Sequence, residues 1–126
     1  MNLANWRSQI RKGLIEFCLL NIIDQKVQAY GLELIEGLDV AQLEISEGTL
    51  YPLLSRLVRD KYLLPKWETP KTGHPRKYYR LSVLGKKNLE DMKLEWAKLT
   101  NSIDEICYER KPGRDLSCLA KKTNNV

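Results

Sequence analysis

The chain has 126 residues, a length that favours one domain with a single core. Hydrophobic residues make up 43% and charged residues 29%, and this balance excludes a mainly disordered chain. The net charge of +5 favours a polyanionic partner, although charge alone says nothing about the fold.

The first apolar segment, from Leu14 to Ile23, follows basic residues and therefore needs a check for export. It is interrupted by Glu16 and Asn21, lacks a small-residue cleavage site and is far shorter than a membrane span. We therefore expect a cytoplasmic protein that does not enter a membrane.

The three cysteines contain no CxxC pair, so they favour neither a disulfide framework nor a zinc site. They are Cys18, Cys107 and Cys118. Cys18 is expected to be a small core residue.

Apolar residues at helical spacing predict a first helix over about Arg7 to Asp24. Its two apolar faces are formed by Trp6, Ile10, Leu14 and Phe17, and by Ile15, Leu19 and Ile22. A helix that is apolar on two faces must be buried on two sides. We expect the chain's own core to cover one face and a second subunit to cover the other.

A short second helix is predicted to begin near Tyr30 and Gly31. Its apolar positions are Leu32, Ile35 and Leu38. Gly37 should weaken its last turn by about 1 kcal/mol relative to alanine. Leu43 and Ile45 then alternate with polar residues, which indicates a short strand or an extended link.

A third helix is predicted to begin near Thr49, after an irregular lead-in that starts at the candidate N-cap Ser46. Pro52 supports this start, because a proline in the first turn lacks only an N–H group that the helix does not use. The apolar stripe consists of Leu50, Leu53, Leu54, Leu57 and Val58. The opposite, polar face carries Glu47, Thr49, Tyr51, Ser55, Arg56 and Arg59.

After Lys61 the hydrophobic period changes from helical to alternating, which predicts a β-hairpin, the wing. Tyr62 and Leu63 lead into a first strand that ends at Glu68, and the return strand is Arg76–Leu81. The turn between them, Thr69–Pro75, contains two prolines and a glycine.

Alternation along the return strand places Arg76, Tyr78 and Arg80 on one face and Lys77 and Tyr79 on the other. One of the two tyrosines is therefore expected in the core. Trp67 on the first strand is expected to be a structural anchor rather than a base-stacking residue.

The positive charge is concentrated in the third helix and the wing. The segment 46–86 holds nine Lys or Arg against three acidic residues, whereas the rest of the chain holds 12 against 13. We therefore predict that the third helix enters the major groove of duplex DNA while the wing contacts phosphates. The candidate DNA-binding residues are Ser46, Thr49, Tyr51, Ser55, Arg56, Lys71, His74, Arg76, Lys77 and Arg80. The alternative is a protein-interaction module whose basic patch meets an acidic partner.

Ser82 is a candidate cap for a long final helix whose apolar residues repeat at intervals of 3, 4, 3, 4 and 3. These residues are Leu89, Met92, Trp96, Leu99, Ile103 and Ile106. Such a seam buries one helix against another, so we expect a homodimer interface made by these six residues with Ile10 and Leu14. Trp96 packs in that interface, or forms with Met92 and Leu99 a slot for a planar or hydrophobic effector.

His74 is the only histidine, and it has no metal-ligand partners at suitable spacing. Nor does the sequence contain a catalytic triad, a paired-carboxylate motif or a phosphate-binding glycine loop. We expect neither an enzyme nor a metal or cofactor.

Two segments, GTLYPLLSRL from Gly48 to Leu57 and RKYYRLSVLG from Arg76 to Gly85, resemble the PadR family of bacterial winged-helix transcriptional regulators. Arg11-Lys12-Gly13 and Tyr30-Gly31 extend the resemblance, which covers about Arg11 to Ile106. The wing tip, Lys71-Thr72-Gly73-His74-Pro75, departs from the glycine-rich and arginine-rich turn that is usual in the family.

The resemblance implies a mainly helical α+β fold. It predicts a winged helix-turn-helix domain over residues 7–82, a dimerisation helix over 83–110 and a flexible tail over 111–126. It also implies repression of a nearby promoter, relieved by a small aromatic or hydrophobic effector. Because two copies of the third helix related by a dyad would read half-sites one helical turn apart, we expect the operator to be an inverted repeat. A tryptophan stacks on planar compounds in the multidrug-sensing branch of the family, and Trp96 stands where that residue would fall.

Overall fold

The computed structural model describes residues 2–108, within which it contains four helices and a three-stranded antiparallel sheet. The helices are α1 (Leu3–Lys26), α2 (Gly31–Val40), α3 (Glu47–Arg59) and α4 (Val83–Cys107), and the strands are β1 (Ala29–Tyr30), β2 (Leu63–Glu68) and β3 (Arg76–Leu81). The predicted class, mainly α with a small β wing, is confirmed. The predicted tail, the last residues of the predicted dimerisation helix and Cys118 lie outside the described residues.

The chain divides into two compact units, one that ends at Lys93 and one that begins at Leu94. The first unit contains α1 to α3, the sheet and the start of α4. Its core is formed by Leu19, Leu20, Ile23, Ala29, Leu34, Leu38, Leu43, Leu50, Leu54, Leu57, Leu63, Tyr79, Leu81 and Leu89. Cys18 packs against this core, as expected, and burial raises the pKa of its thiol.

Helix α1 begins earlier than predicted because its first turn is capped by a residue outside the apolar pattern. The side-chain oxygen of Asn2 accepts a hydrogen bond from the N–H of Ala4 at 2.8 Å. That cap satisfies an N–H group that has no partner within the helix. The helix then continues to Lys26, two residues beyond the predicted end.

Strand β1 was not predicted, since two residues are too short to show a hydrophobic period. Ala29 pairs with Tyr79 and Tyr30 with Tyr78, which adds β1 to the free edge of β3. The sheet order is therefore β1-β3-β2. Helix α2 follows at once, and it begins at Gly31 as the sequence predicted.

The buried face of α2 differs in part from the predicted one. Leu34 and Leu38 are fully buried, whereas Leu32 is exposed. Pairing of β1 fixes the direction in which α2 starts, so the face that contains Gly31 and Leu34 points into the core. The helix runs through Gly37, and the following residues Leu43 to Ser46 form an extended link rather than a strand.

Helices α2 and α3 end in the same hydrogen-bonded motif, although neither has the usual glycine. At the end of α2, the N–H of Gln42 donates to Asp39 O at 2.9 Å. The next N–H, that of Leu43, donates to Leu38 O at 2.8 Å. These bonds define a Schellman cap, whose central residue adopts positive φ, here 62° at Gln42. Lys61, with φ 67°, is the corresponding central residue of the cap that ends α3.

The prediction that α3 begins near Thr49 is wrong, because Glu47 and Gly48 are already helical. Ser46 is the N-cap, and its carbonyl oxygen accepts from the N–H of Leu50 at 2.9 Å. Pro52 therefore lies in the second turn and cannot donate to the carbonyl oxygen of Gly48. Gly48 is exposed, so water can supply that hydrogen bond.

Strand β3 lies at the centre of the sheet and is antiparallel to β2. Leu63 lies opposite Leu81 at one end of this pairing, and Glu68 lies opposite Arg76 at the other. The end of β3 is joined to α4 by Ser82, whose hydroxyl oxygen accepts from the N–H of Gly85 at 2.9 Å. The predicted cap is thus confirmed. The hydroxyl also donates to Lys61 O at 2.6 Å, which fixes the start of α4 against the end of α3.

Candidate nucleic-acid interface

Helix α3 turns Leu50, Leu54 and Leu57 into the core and leaves the opposite face open. Thr49, Tyr51, Pro52, Ser55 and Arg59 are all exposed on this helix. The predicted contact set omits Arg59, although helical periodicity places it on the outward face and its side chain is 73% exposed. The helix therefore presents hydroxyl, phenol and guanidinium groups to an outside partner.

Tyr51 projects from α3 over the first residue of α2. A Cβ atom added to Gly31 would lie 2.7 Å from the Tyr51 hydroxyl oxygen, so only glycine leaves room for the ring as placed. Tyr51 remains 46% exposed. The ring is thus supported on one side by the backbone of α2 and is open to solvent on the other.

The face of β3 that carries Arg76 and Tyr78 is held by an aromatic contact with β1. The rings of Tyr30 and Tyr78 meet edge to face, with centroids 5.3 Å apart and planes at 70°. The guanidinium carbon of Arg76 lies 4.6 Å from the centroid of the Tyr30 ring, within cation–π distance. Stacking restrains this exposed cation near the start of α2.

Lys77 extends from the opposite face of β3, between two aromatic rings. Its ammonium nitrogen is 5.9 Å from the Trp67 ring centroid and 5.7 Å from that of Tyr79. Tyr79 is the tyrosine that enters the core, as alternation required of one of the pair. Burial raises the pKa of its hydroxyl, and Tyr51 nearby raises it further.

The expectation that Trp67 is a structural anchor is wrong. Its side chain is 65% exposed, and its register partner across the hairpin is Lys77. Trp67 lies on the same face of the hairpin as Leu63 and Tyr79 but nearer the turn of the wing, and there it is exposed. An exposed indole beside a lysine is suited to contact an external surface.

These residues meet in a groove of about 450 Å³ between α3, the start of α2 and the wing, which we call the wing groove. Four of the predicted DNA-binding residues line it: Tyr51, Ser55, Arg76 and Lys77. Among the described residues, no carboxylate lies within ion-pair distance of Arg76 or Lys77. The groove therefore presents two cations beside the polar face of a helix.

The other predicted DNA-binding residues lie elsewhere. Lys71 and His74 are exposed in the turn of the wing. Arg80 lies towards the end of β3, where it lines a separate cleft with Asp24 and Lys86.

On α3, Ser46 and Thr49 are joined by a 3.2 Å hydrogen bond between their hydroxyl groups. They lie beside α1, away from the wing groove. Arg56 also turns towards α1, where its Nη2 atom is 2.9 Å from Glu16 Oε2. Its Nη1 atom is 3.7 Å from Asp60 Oδ2.

Several large apolar side chains remain exposed on α1 and α4. Trp6 and Ile10 are exposed on α1, and Leu14 beside them is partly buried. In the second unit, the exposed members of the predicted seam are Trp96, Leu99, Ile103 and Ile106.

The first two residues of the predicted seam contact the chain's own core. Leu89 is only 2% exposed, so its assignment to a subunit interface is wrong. It fills the core beside the end of the sheet, where the first turns of α4 must cover apolar side chains. Met92 is partly buried and packs against the same core.

No helix within residues 2–108 is long and apolar enough to cross a membrane. The same part of the chain brings together no group of three or more His, Cys, Asp or Glu residues that could hold a metal ion.

The sequence matches the family model of the PadR-like transcriptional regulators over residues 19–91. It is also similar to an uncharacterized protein of Lysinibacillus sphaericus, with 32% identity over 101 residues. That alignment covers 78% of this chain and 92% of the relative.

Solved structures give the same result. A PadR-like transcription factor from Bacteroides fragilis is 39% identical, with a TM-score of 0.66, and the match covers 81% of this chain and 98% of the other. A PadR family transcriptional regulator from Eggerthella lenta is 26% identical, with a TM-score of 0.75 and coverage of 86% and 94%. The chain belongs to the PadR-like family of transcriptional regulators.

Proposed function

We propose that this protein is a sequence-specific regulator that inserts the exposed face of α3 into the major groove of DNA and places the wing on the flanking backbone. The observation that carries the proposal is the groove shared by Tyr51, Ser55, Arg76 and Lys77. Hydroxyl groups can contact base edges or phosphates, and cations without a carboxylate partner are suited to phosphates. Family membership supports DNA binding in general, and the groove supports these residues in particular.

The proposed contacts follow from where each side chain lies. Tyr51 and Ser55 would contact bases in the major groove of DNA, whereas Arg76 and Lys77 of the wing would neutralise the charge of the DNA backbone. Lys71 and His74 in the turn would extend the wing contact along the duplex. Ser46 and Thr49 would contact DNA on the α1 side of α3.

We further propose that the protein acts as a homodimer. Exposed Trp6 and Ile10 on α1, and Trp96, Leu99 and Ile103 on α4, are large apolar residues that a second subunit would cover. Two copies of α3 related by a twofold axis would read half-sites about 34 to 36 Å apart, one helical turn of DNA. The operator would therefore be an inverted repeat.

The regulatory proposal is repression that a small planar or hydrophobic effector relieves. Trp96 and Leu99 of the second unit are exposed and offer apolar surface to such an effector. Met92, the third residue of the proposed effector site, packs against the core of the first unit. Such a regulator would act in the cytoplasm, where bacterial DNA lies. An effector that alters the contacts of α4 in the dimer would change the spacing of the two copies of α3, the recognition helix.

The test is to incubate the protein with fragmented genomic DNA from its host, sequence the retained fragments and measure binding to them with heparin as competitor. A sequence-specific regulator retains a small set of fragments that share an inverted repeat. A protein-interaction module with a basic patch would lose all fragments to heparin and show no shared sequence, which would reject the proposal. Quenching of tryptophan fluorescence by aromatic cations, absent in Trp96→Ala, then tests the effector site.

A further inference from the structure

A second cleft, of about 420 Å³, lies on the side of α3 that faces away from the wing. It separates the first half of α1 from the link that leads into α3. Arg11 and Lys12 line it from α1, and Ser46 and Thr49 line it from the start of α3. In the sequence, Arg11 and Lys12 belong to the Arg11-Lys12-Gly13 motif, which predicts no contact for either side chain.

The charges of Arg11 and Lys12 are not neutralised within the part of the chain that the structure describes. Within residues 2–108, no carboxylate oxygen lies within 4.0 Å of the side-chain nitrogens of Arg11 or Lys12, whereas Arg56 and Lys26 each have a glutamate partner. One acidic residue, Glu44, lines the cleft. It is exposed and forms no ion pair with Arg11 or Lys12. The cleft thus has two cations and one anion available to a ligand.

This cleft, the α1 cleft, and the wing groove lie on opposite flanks of α3. Thr49 lines the α1 cleft, while Tyr51 and Ser55 line the wing groove. Each cleft contains two basic side chains, Arg11 and Lys12 in one and Arg76 and Lys77 in the other. A helix that lies in the major groove has a phosphate backbone on each side, separated by about 12 Å of groove. With a pair of basic side chains on each flank of α3, each of the two backbones would have cations beside it.

We propose that Arg11 and Lys12 bind the phosphate backbone of duplex DNA on the α1 side of α3, the strand opposite to the one that the wing contacts. This inference rests on the proposed function. It adds a second backbone contact, from a helix that also presents Trp6 and Ile10 as exposed apolar surface. The recognition helix is then held in the groove from both edges.

The experiment measures binding of the full chain to a fluorescein-labelled random-sequence duplex of about 30 base pairs, three helical turns, over a range of KCl concentrations. Each lost phosphate contact should lower the slope of log affinity against log salt by about 0.9, so Arg11→Gln with Lys12→Gln should lower it by about 2. Lys12→Arg should keep the slope. Glu44→Gln should raise affinity, because it removes the anion from the cleft.

The control is Lys87→Gln, which removes one charge from an exposed position on α4. Its slope should stay close to that of the unchanged protein. Thermal unfolding of each variant checks that the fold is intact. An unchanged slope in the Arg11 and Lys12 double variant, or an equal loss in Lys87→Gln, would overturn the inference. If the unchanged protein bound no duplex at all, the proposed function would fail instead.

Discussion

The guanidinium of Arg56 lies 2.9 Å from the carboxylate of Glu16, and this ion pair joins the recognition helix α3 to α1. The two residues are forty positions apart in sequence. Arg56 was predicted to contact DNA, but its nearest charged partner in the structure is this carboxylate. The side chains are 41% and 35% exposed, so the pair should contribute only about 0 to 1 kcal/mol to stability.

We expect Arg56 to act by positioning α3. Glu16→Gln and Arg56→Gln should then each weaken DNA binding by a similar factor, about two- to fivefold for a loss of up to ~1 kcal/mol. The double variant should be no weaker than either single one, because both changes break the same contact. Salt-dependent binding distinguishes the alternative: if Arg56→Gln lowers the salt slope while Glu16→Gln tightens binding, Arg56 contacts phosphate directly.

The wing cations should contribute to affinity without contributing to sequence preference. Arg76→Gln and Lys77→Gln should weaken binding to a retained genomic fragment and to random duplex equally, with a loss of about one unit of salt slope for each contact. Fluorescence anisotropy at several KCl concentrations measures both quantities. A change in the ratio of the two affinities, with the slope preserved, would instead assign these residues to base reading.

The position of the Tyr51 ring should depend on the absence of a side chain at Gly31. A Cβ atom there would lie 2.7 Å from the Tyr51 hydroxyl oxygen, so Gly31→Ala must displace the ring. Since the ring is exposed and can move, we expect a loss of specific DNA binding with a small change in thermal stability. Tyr51→Ala should give the same binding defect, and the two changes should not add. If Gly31→Ala kept its full affinity for specific DNA, Tyr51 would not have to occupy this position in the DNA complex, and the prediction would be wrong.

The strands of the wing could be predicted nearly to the residue, and the reason is local. Alternation in Arg76–Leu81 and a turn with two prolines and a glycine are signals contained within a few residues. Trp67 shows the limit of that information: it lies on the face of the hairpin that meets the core, but how far the core extends along that face depends on elements distant in sequence. Leu89 shows the same limit: a heptad spacing indicates burial but not whether the covering surface belongs to the same chain.

Positive φ at Gln42 could not be predicted, because glycine is the usual residue in a Schellman cap. The left-handed conformation costs a non-glycine residue about 1 to 2 kcal/mol. Gln42→Gly should therefore stabilise the fold by about 0.5 to 1 kcal/mol, the remainder being offset by the greater freedom of glycine in the unfolded chain. Urea denaturation should show a higher midpoint. Glu36→Gly, inside α2, is the control and should cost about 1 kcal/mol.

The candidate site could be predicted in composition but not in arrangement. Tyr51, Ser55, Arg76 and Lys77 were expected to act together, and the structure places them around one groove. The pairing of Arg56 with Glu16 and the cleft beside Arg11 depend on how α1 packs against α3. Such packing is set by the core as a whole, so no spacing within either helix could have shown it.

Among the glycines that the structure describes, Gly85 should be the one least able to accept a side chain. An added Cβ atom would collide with the backbone carbonyl oxygen of Tyr62. That oxygen also accepts a hydrogen bond from the Ser82 N–H at 3.1 Å, so it cannot move without breaking that bond. We expect Gly85→Ala to destabilise the fold by about 1 to 3 kcal/mol or more, as overpacked cores do.

Gly13 provides the matched control for Gly85. It lies inside α1, and an added Cβ atom would meet nothing within 4 Å. Gly13→Ala should therefore raise the free energy of unfolding by about 0.5 to 1 kcal/mol, since alanine loses less backbone entropy in a helix. The two variants carry the same chemical change, so opposite shifts in thermal midpoint would assign the loss at Gly85 to its contact with Tyr62. A tolerated Gly85→Ala would mean that the start of α4 is not held against Tyr62 as the structure has it.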